Sequence, residues 1–233
     1  MSDSDLNIVI AYSKQTYEKI ELNLKNKIHD VNFYKIENEK QLTCEFLEKI
    51  KPKYIFFPHW SYIIPKKIYT DYECIIFHMT DLPFGRGGSP LQNLIANEIY
   101  STKISALKCE EELDSGPIYL KVPFSLYGNA EEIYLRAADI IQDMIEIIIK
   151  NNPVPIIQSG EVTTFKRRKP EDSNIMEIEE LNKIFDYIRM LDAEGYPKAY
   201  IEIDHFKLEF SRPSFKGNEI LADVRIKKKG ENL

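Results

Sequence analysis

Residues Phe77–Gln92 read FHMTDLPFGRGGSPLQ and follow directly on the apolar run Cys74-Ile75-Ile76. The pattern predicts a buried strand over Cys74–His78, a loop dense in proline and glycine (Pro83, Gly85, Gly87, Gly88), and a helix over Leu91–Asn97. In open parallel α/β sheets, ligands bind beyond the carboxyl ends of the strands. His78 stands at such an end. An imidazole there can take a proton from an amine nucleophile near neutral pH. A histidine inside a strand is more often a satisfied core group, but the terminal position and the loop that follows argue for chemistry.

Working outward, strands are expected at Leu6–Tyr12, Val31–Ile36 and Tyr54–Pro58, with helices between them, one running to Asn26 and one over Lys40–Ile50. Strands that are apolar nearly throughout and alternate with helices imply a mostly parallel sheet covered on both faces, a Rossmann-like α/β fold. Lys103–Lys108 and Ile118–Phe124 read as strands bracketing the turn Asp114-Ser115-Gly116-Pro117. Ala130–Lys150 is the longest helix, with Ile133, Ala137, Ile140, Ile141 and Met144 as its inward stripe; Pro153 and Pro155 prevent its continuation. The composition shifts at Lys166–Asp172 (KRRKPED), which divides a domain over 1–165 from a linker, helix and small β-rich appendage over 166–233. Within that appendage a helix is expected at Ile178–Leu191, strands at Tyr200–Phe210 and Ile220–Lys227, and a frayed, solvated tail at KKKGENL.

The chain has 233 residues, 43% hydrophobic and 29% charged, with a net charge of −6. An acidic balance argues against a surface that coats nucleic acid. The acidic opening MSDSDLNIVIAY is no secretory signal, and no apolar run nears the roughly 18 residues of a membrane span. Cys44, Cys74 and Cys109 are isolated, with no CxxC pair, and two of them lie in apolar runs, where free cysteine serves as a small hydrophobe. A cytoplasmic protein without disulfides or metal is the expectation.

Other candidate site residues lie on loops at the same sheet edge. Asp114, in LDSGP, is ordinary turn chemistry unless the turn closes over His78, where its carboxylate would orient the imidazole. Ser13 and Lys14 follow the first strand and open a helix, so they offer a hydroxyl and an ammonium to an anion, or merely cap the helix. No GxGxxG or P-loop is present, which argues against NAD or ATP. Pro58–Pro65 (PHWSYIIP) carries His59, Tyr62 and the only tryptophan, Trp60, aromatics suited to stacking on a ligand. His29 lies in a surface connection and His205 in an appendage strand, and neither has a partner pattern.

These residues resemble the 10-formyltetrahydrofolate-dependent formyltransferases. HMTDLPFGRGGSPLQ is similar to that family's His-x-Ser-x-Leu-Pro…Arg-Gly…Pro, and EELDSGPIY to its Asp-x-Gly loop. SYIIP resembles the loop lining the folate pocket, while FKRRKPEDSNI and IRMLDAEGYPKAYI resemble the sugar-modifying branch. The resemblance implies His78 as acid/base, Asp114 as its carboxylate partner and Thr80 in place of the family's serine. It places Tyr62, Ile63, Ile64, Leu113 and Asp114 along the folate, and Ser13, Lys14, His59, Trp60 and Arg86 along the second substrate. One position departs from the pattern. The family's asparagine two residues before the histidine is Ile76 here, so an amide that would stabilise the developing oxyanion is missing.

The activity so implied is N-formyl transfer from 10-formyltetrahydrofolate to the primary amine of a nucleotide-linked amino-deoxysugar, in polysaccharide biosynthesis, without a metal. No nucleic-acid or membrane partner is expected, and a homodimer through an edge strand is conceivable. The rival readings are a methionyl-tRNA formyltransferase-like enzyme, disfavoured by the acidic charge and the short segment after Lys169, a formyltetrahydrofolate hydrolase, and a non-catalytic folate- or nucleotide-binding module.

Overall fold

The computed structural model describes residues 6–230; the acidic lead 1–5 and the last three residues of the expected tail lie outside them. Chain order begins β1 (Leu6–Tyr12), α1 (Lys19–Lys27), β2 (Val31–Ile36), α2 (Cys44–Ile50), β3 (Tyr54–His59), α3 (Lys66–Asp71) and β4 (Cys74–His78). It continues through β5 (Arg86–Gly87), α4 (Pro90–Ala96), β6 (Ser101–Lys108), β7 (Ile118–Ser125), α5 (Ala130–Asn151) and β8 (Thr164–Phe165). The carboxyl-terminal part holds α6 (Leu181–Arg189), β9 (Ala199–Ile203), β10 (Phe206–Lys216) and β11 (Glu219–Lys228).

The main sheet has the order β2-β1-β3-β4-β6-β7. Its first four strands pair in parallel and β6 runs antiparallel to β4, so the sheet is mostly parallel, as the pattern implied. The strands are apolar on both sides because both faces are covered. One face buries Val9, Ala11, Ile55, Phe57 and Cys74 against Leu47 of α2 and Ile68 of α3. Asn23 of α1 donates to Gln142 of α5 at 2.6 Å. Register places Tyr12 beside His59 and Phe57 beside Ile76, so the carboxyl ends of β1, β3 and β4 share one edge.

By contact density the chain forms two units. One comprises the residues up to Arg86, with Lys103–Phe124 and Leu135–Thr164; the other comprises Gly87–Thr102, Ser125–Tyr134 and the chain from Phe165. In the second unit α6 packs on β10 of an antiparallel sheet ordered β11-β10-β9. Arg189, almost wholly buried, is paired with Asp186 at 2.6 Å and donates to the carbonyls of Leu126 and Gly128, which offsets the cost of burying its charge.

Several boundaries differ from expectation. The helix expected over Lys40–Ile50 is split: Thr43 caps the amide of Phe46, so α2 starts at Cys44, and Glu39–Gln41 is a separate turn. The strand expected over Tyr200–Phe210 is two strands, because Asp204 adopts a φ of 34° and the chain turns at Asp204-His205. His205 therefore lies in a turn, not in a strand. Helix α5 ends where foreseen, with Asn152 left-handed and its amide bonded to the Ile148 carbonyl ahead of Pro153. Among the described residues no helix is long and apolar enough to cross a membrane.

Candidate active site

Strand β4 ends at His78 because the apolar run is followed by Met79-Thr80-Asp81 and the Pro/Gly loop, and the peptide Leu82-Pro83 is cis. The ring is 8% exposed. Nδ1 lies 3.5 Å from Oδ2 of Asp114, which is equally buried, and Nε2 donates to the carbonyl of Gly85 at 2.8 Å. Both ring nitrogens thus face acceptors. A neutral imidazole can donate to one only, whereas a doubly protonated ring donates to both.

Asp114 owes its position to the turn between β6 and β7. It sits at φ 53°, a conformation that aspartate tolerates better than most side chains. Two residues on, a Cβ at Gly116 would lie 2.0 Å from the carbonyl oxygen of Lys108, so only glycine lets the turn lie flush on β6. The amide of Lys108 closes that contact on Pro117 O at 2.9 Å.

Thr80 is fully buried; its hydroxyl donates to Gly85 O at 3.3 Å, the same carbonyl that holds His78. Its own carbonyl accepts from Ser105 of β6 at 2.7 Å. Asp81 is paired with Lys121 and Lys103, at 2.6 and 3.0 Å, which pins the start of the loop. Ile76 packs with Trp60 and Ile64 against the hydrophobic cluster of β1, β3, α2 and α3. The indole Nε1 of Trp60 is buried without a hydrogen-bond partner.

A second constellation gathers at the ends of β1 and β3. The Ser13 hydroxyl lies 3.2 Å from His59 Nδ1 and 2.9 Å from the Ser61 hydroxyl. His59 stacks on Tyr17 with 5.4 Å between ring centroids. Burial, with Lys14 nearby, lowers its pKa to about 4, so this imidazole is neutral at physiological pH. Ile63 and Leu113 are 92% and 67% exposed, and Tyr62 is exposed too, on the two loops flanking this edge.

The structure therefore joins His78 to Asp114 directly and to Thr80 through Gly85, and separately joins Ser13 and His59. Arg86 is held elsewhere: its guanidinium donates twice to Gln158 and lies 3.5 Å from Glu112. Gln158 also donates to the carbonyls of Asp114 at 2.7 Å and Gly116 at 2.9 Å. Sequence reading passed over Gln158, because no spacing rule links it to a turn 44 residues away.

The family model for the methionyl-tRNA formyltransferase C-terminal domain matches residues 170–227. The solved methionyl-tRNA formyltransferase from Clostridium thermocellum is 51% identical, with a TM-score of 0.93 over 96% of this chain and 99% of that one. A methionyl-tRNA formyltransferase from Thermodesulfovibrio yellowstonii is 26% identical over 83% of this chain. The chain spans about 55 to 66% of the length of the first curated relatives it matches. A sugar N-formyltransferase from a Shewanella species shares the fold, with a TM-score of 0.70, at 16% identity over 89% of this chain and 97% of that one.

These findings correct the expected acceptor. The nucleotide-linked amino sugar, its polysaccharide pathway and the exclusion of a nucleic-acid partner are overturned by the 51% identity to a methionyl-tRNA formyltransferase, beside 16% to a sugar enzyme. The charge argument failed because a net charge of −6 averages over the whole surface and says nothing of where basic residues lie. The length argument failed because the Clostridium thermocellum chain is matched over nearly its whole length. Identity of 51% across 96% of the chain, on a mostly parallel α/β fold with a small antiparallel sheet, means that this protein belongs to the formyltransferase family.

Proposed function

We propose that the protein transfers a formyl group from 10-formyltetrahydrofolate to the α-amine of methionyl-tRNA. The observation that carries the chemistry is the buried His78–Asp114 pair, 3.5 Å apart at the carboxyl edge of the sheet. The choice of acceptor is supported by the names of the relatives and by the basic run Lys166–Lys169. Of that run, Lys166, Arg167 and Lys169 are exposed and suited to phosphodiester contacts.

When bound, 10-formyltetrahydrofolate supplies the formyl carbon and the nitrogen that departs. The exposed Tyr62, Ile63 and Leu113 offer apolar contact to the faces of the donor's rings. For transfer His78 leaves Gly85 O and carries its single proton on Nδ1, facing Asp114, so that the free Nε2 takes a proton from the attacking amine and returns it to the departing nitrogen. Asp114 holds the imidazolium so formed, and the 3.5 Å contact shortens as positive charge develops on the ring. Thr80 keeps Gly85 O in place as the resting partner of Nε2. Ile76 offers no amide to the formyl oxygen, so the charge there falls to the protonated ring.

The test is incubation with 10-formyltetrahydrofolate and methionyl-tRNA, followed by release and mass analysis of the amino acid. Formylmethionine formed in proportion to enzyme is expected. Donor consumption with free formate as the sole product, or no turnover, would remove this function.

A further inference from the structure

The direct contact between His78 and Asp114, at 3.5 Å, is long for a hydrogen bond and does not by itself set two loops in register. The segment between α5 and β8 is bonded to both loops. At one end Ile156 and Ile118 exchange backbone hydrogen bonds at 2.9 and 2.8 Å, which stitches the segment to the start of β7. At the other end the Thr163 hydroxyl accepts from the Gly85 amide at 2.7 Å, and the Thr163 carbonyl accepts from the Arg86 amide at 3.0 Å. Between them lies Gln158, whose side chain makes four hydrogen bonds. Its Nε2 donates to Asp114 O and Gly116 O, and its Oε1 accepts from two nitrogens of Arg86.

The orientation of that amide is fixed by its partners. Carbonyls can only accept and a guanidinium can only donate, so a flipped amide would turn four attractive contacts repulsive. Gly85 is also the residue whose carbonyl holds His78 Nε2. One side chain thus ties the turn carrying Asp114 to the residue next to the imidazole's resting partner.

We infer that Gln158 is the positioning residue of this site: locked by Arg86, it sets the Asp114 turn against His78. The inference rests on the formyl-transfer reading of the pair, and deepens it. It also gives Arg86 a role in aiming Gln158. Replacement by glutamate keeps the acceptor for Arg86 but sets an oxygen against the carbonyls of Asp114 and Gly116. Replacement by leucine removes all four bonds.

The experiment compares wild type, Gln158→Glu and Gln158→Leu alone and on an Asp114→Asn background. Each single variant is expected to lose about 10- to 100-fold in kcat, the scale of an ångström-level misplacement, with KM for donor and acceptor changed less than about threefold. On the Asp114→Asn background the same substitutions are expected to have no further effect, because Gln158 acts through Asp114. A kcat equal to wild type, or an equal loss on both backgrounds, would overturn the inference. Crystal structures of wild type and Gln158→Leu give a readout that needs no turnover. The Nδ1–Oδ2 separation is expected to open from 3.5 Å by about 1 Å or more. An unchanged separation would refute the positioning role even if formyl transfer were absent, and a wild type without turnover would refute the activity while leaving the structural comparison intact.

Discussion

Replacing Gly116 with alanine is the sharpest perturbation of the candidate site, because it touches neither reacting side chain. The added methyl would sit 2.0 Å from Lys108 O and 2.9 Å from its carbonyl carbon, where contacts below 3.0 Å are essentially never seen. The turn must therefore retreat from β6 by about 1 Å. Retreat strains the Lys108–Pro117 backbone bond and the Gln158 bond to Gly116 O, and carries Asp114 away from His78. Overpacking of this kind costs about 1–3 kcal/mol, which for a chain of this size lowers Tm by roughly 2–12 °C. A misplacement of about 1 Å at a catalytic pair costs on the order of 100-fold in rate. Calorimetry gives Tm, and quenched-flow formyl transfer at saturating donor and acceptor gives kcat. Transfer within about threefold of wild type would refute the claim that this turn places a working carboxylate.

Three further outcomes are expected. His78→Asn should cost about 100- to 10,000-fold in formyl transfer, the usual worth of a general acid–base, while donor affinity measured by fluorescence titration stays within about tenfold; retained activity would take His78 out of the mechanism. His59 ties stability to pH: its pKa is near 6.5 unfolded and about 4 folded, so the unfolded chain binds the extra proton. Its contribution is complete above pH 6.5 and is lost as pH falls toward 4, on the order of 3 kcal/mol in all, so urea unfolding of His59→Asn should show a flatter acid limb than wild type. Burial raises the pKa of Cys109 to about 11 and that of Cys74 further, so a thiol reagent should titrate Cys44 alone in the native protein; rapid modification of all three cysteines would contradict that burial.

Much of the architecture was legible because apolar runs were cleanly punctuated. β1, β2 and β4 begin and end where their composition changes, and both sheet faces are covered as continuous hydrophobicity requires. Signals failed where one side chain settled the outcome. Thr43 captured an amide and divided a helix, and Asp204 turned left-handed and divided a strand. In the site, His78 and Asp114 stand out by position and resemblance. Gln158, Ser105 and Thr163 are ordinary polar residues that matter only through contacts made after folding. The acceptor was misjudged for a related reason: whole-chain charge carries no information about how charge is distributed over a surface.

The central claim is that His78 and Asp114 act as one unit in moving a proton during formyl transfer. A double-mutant cycle tests it most directly: kcat/KM is measured for wild type, His78→Asn, Asp114→Asn and the pair together. The account predicts that the double variant is no slower than His78→Asn alone, since a carboxylate with no imidazolium to stabilise contributes nothing. Losses that simply multiply would mean that the two residues work independently, and would contradict it.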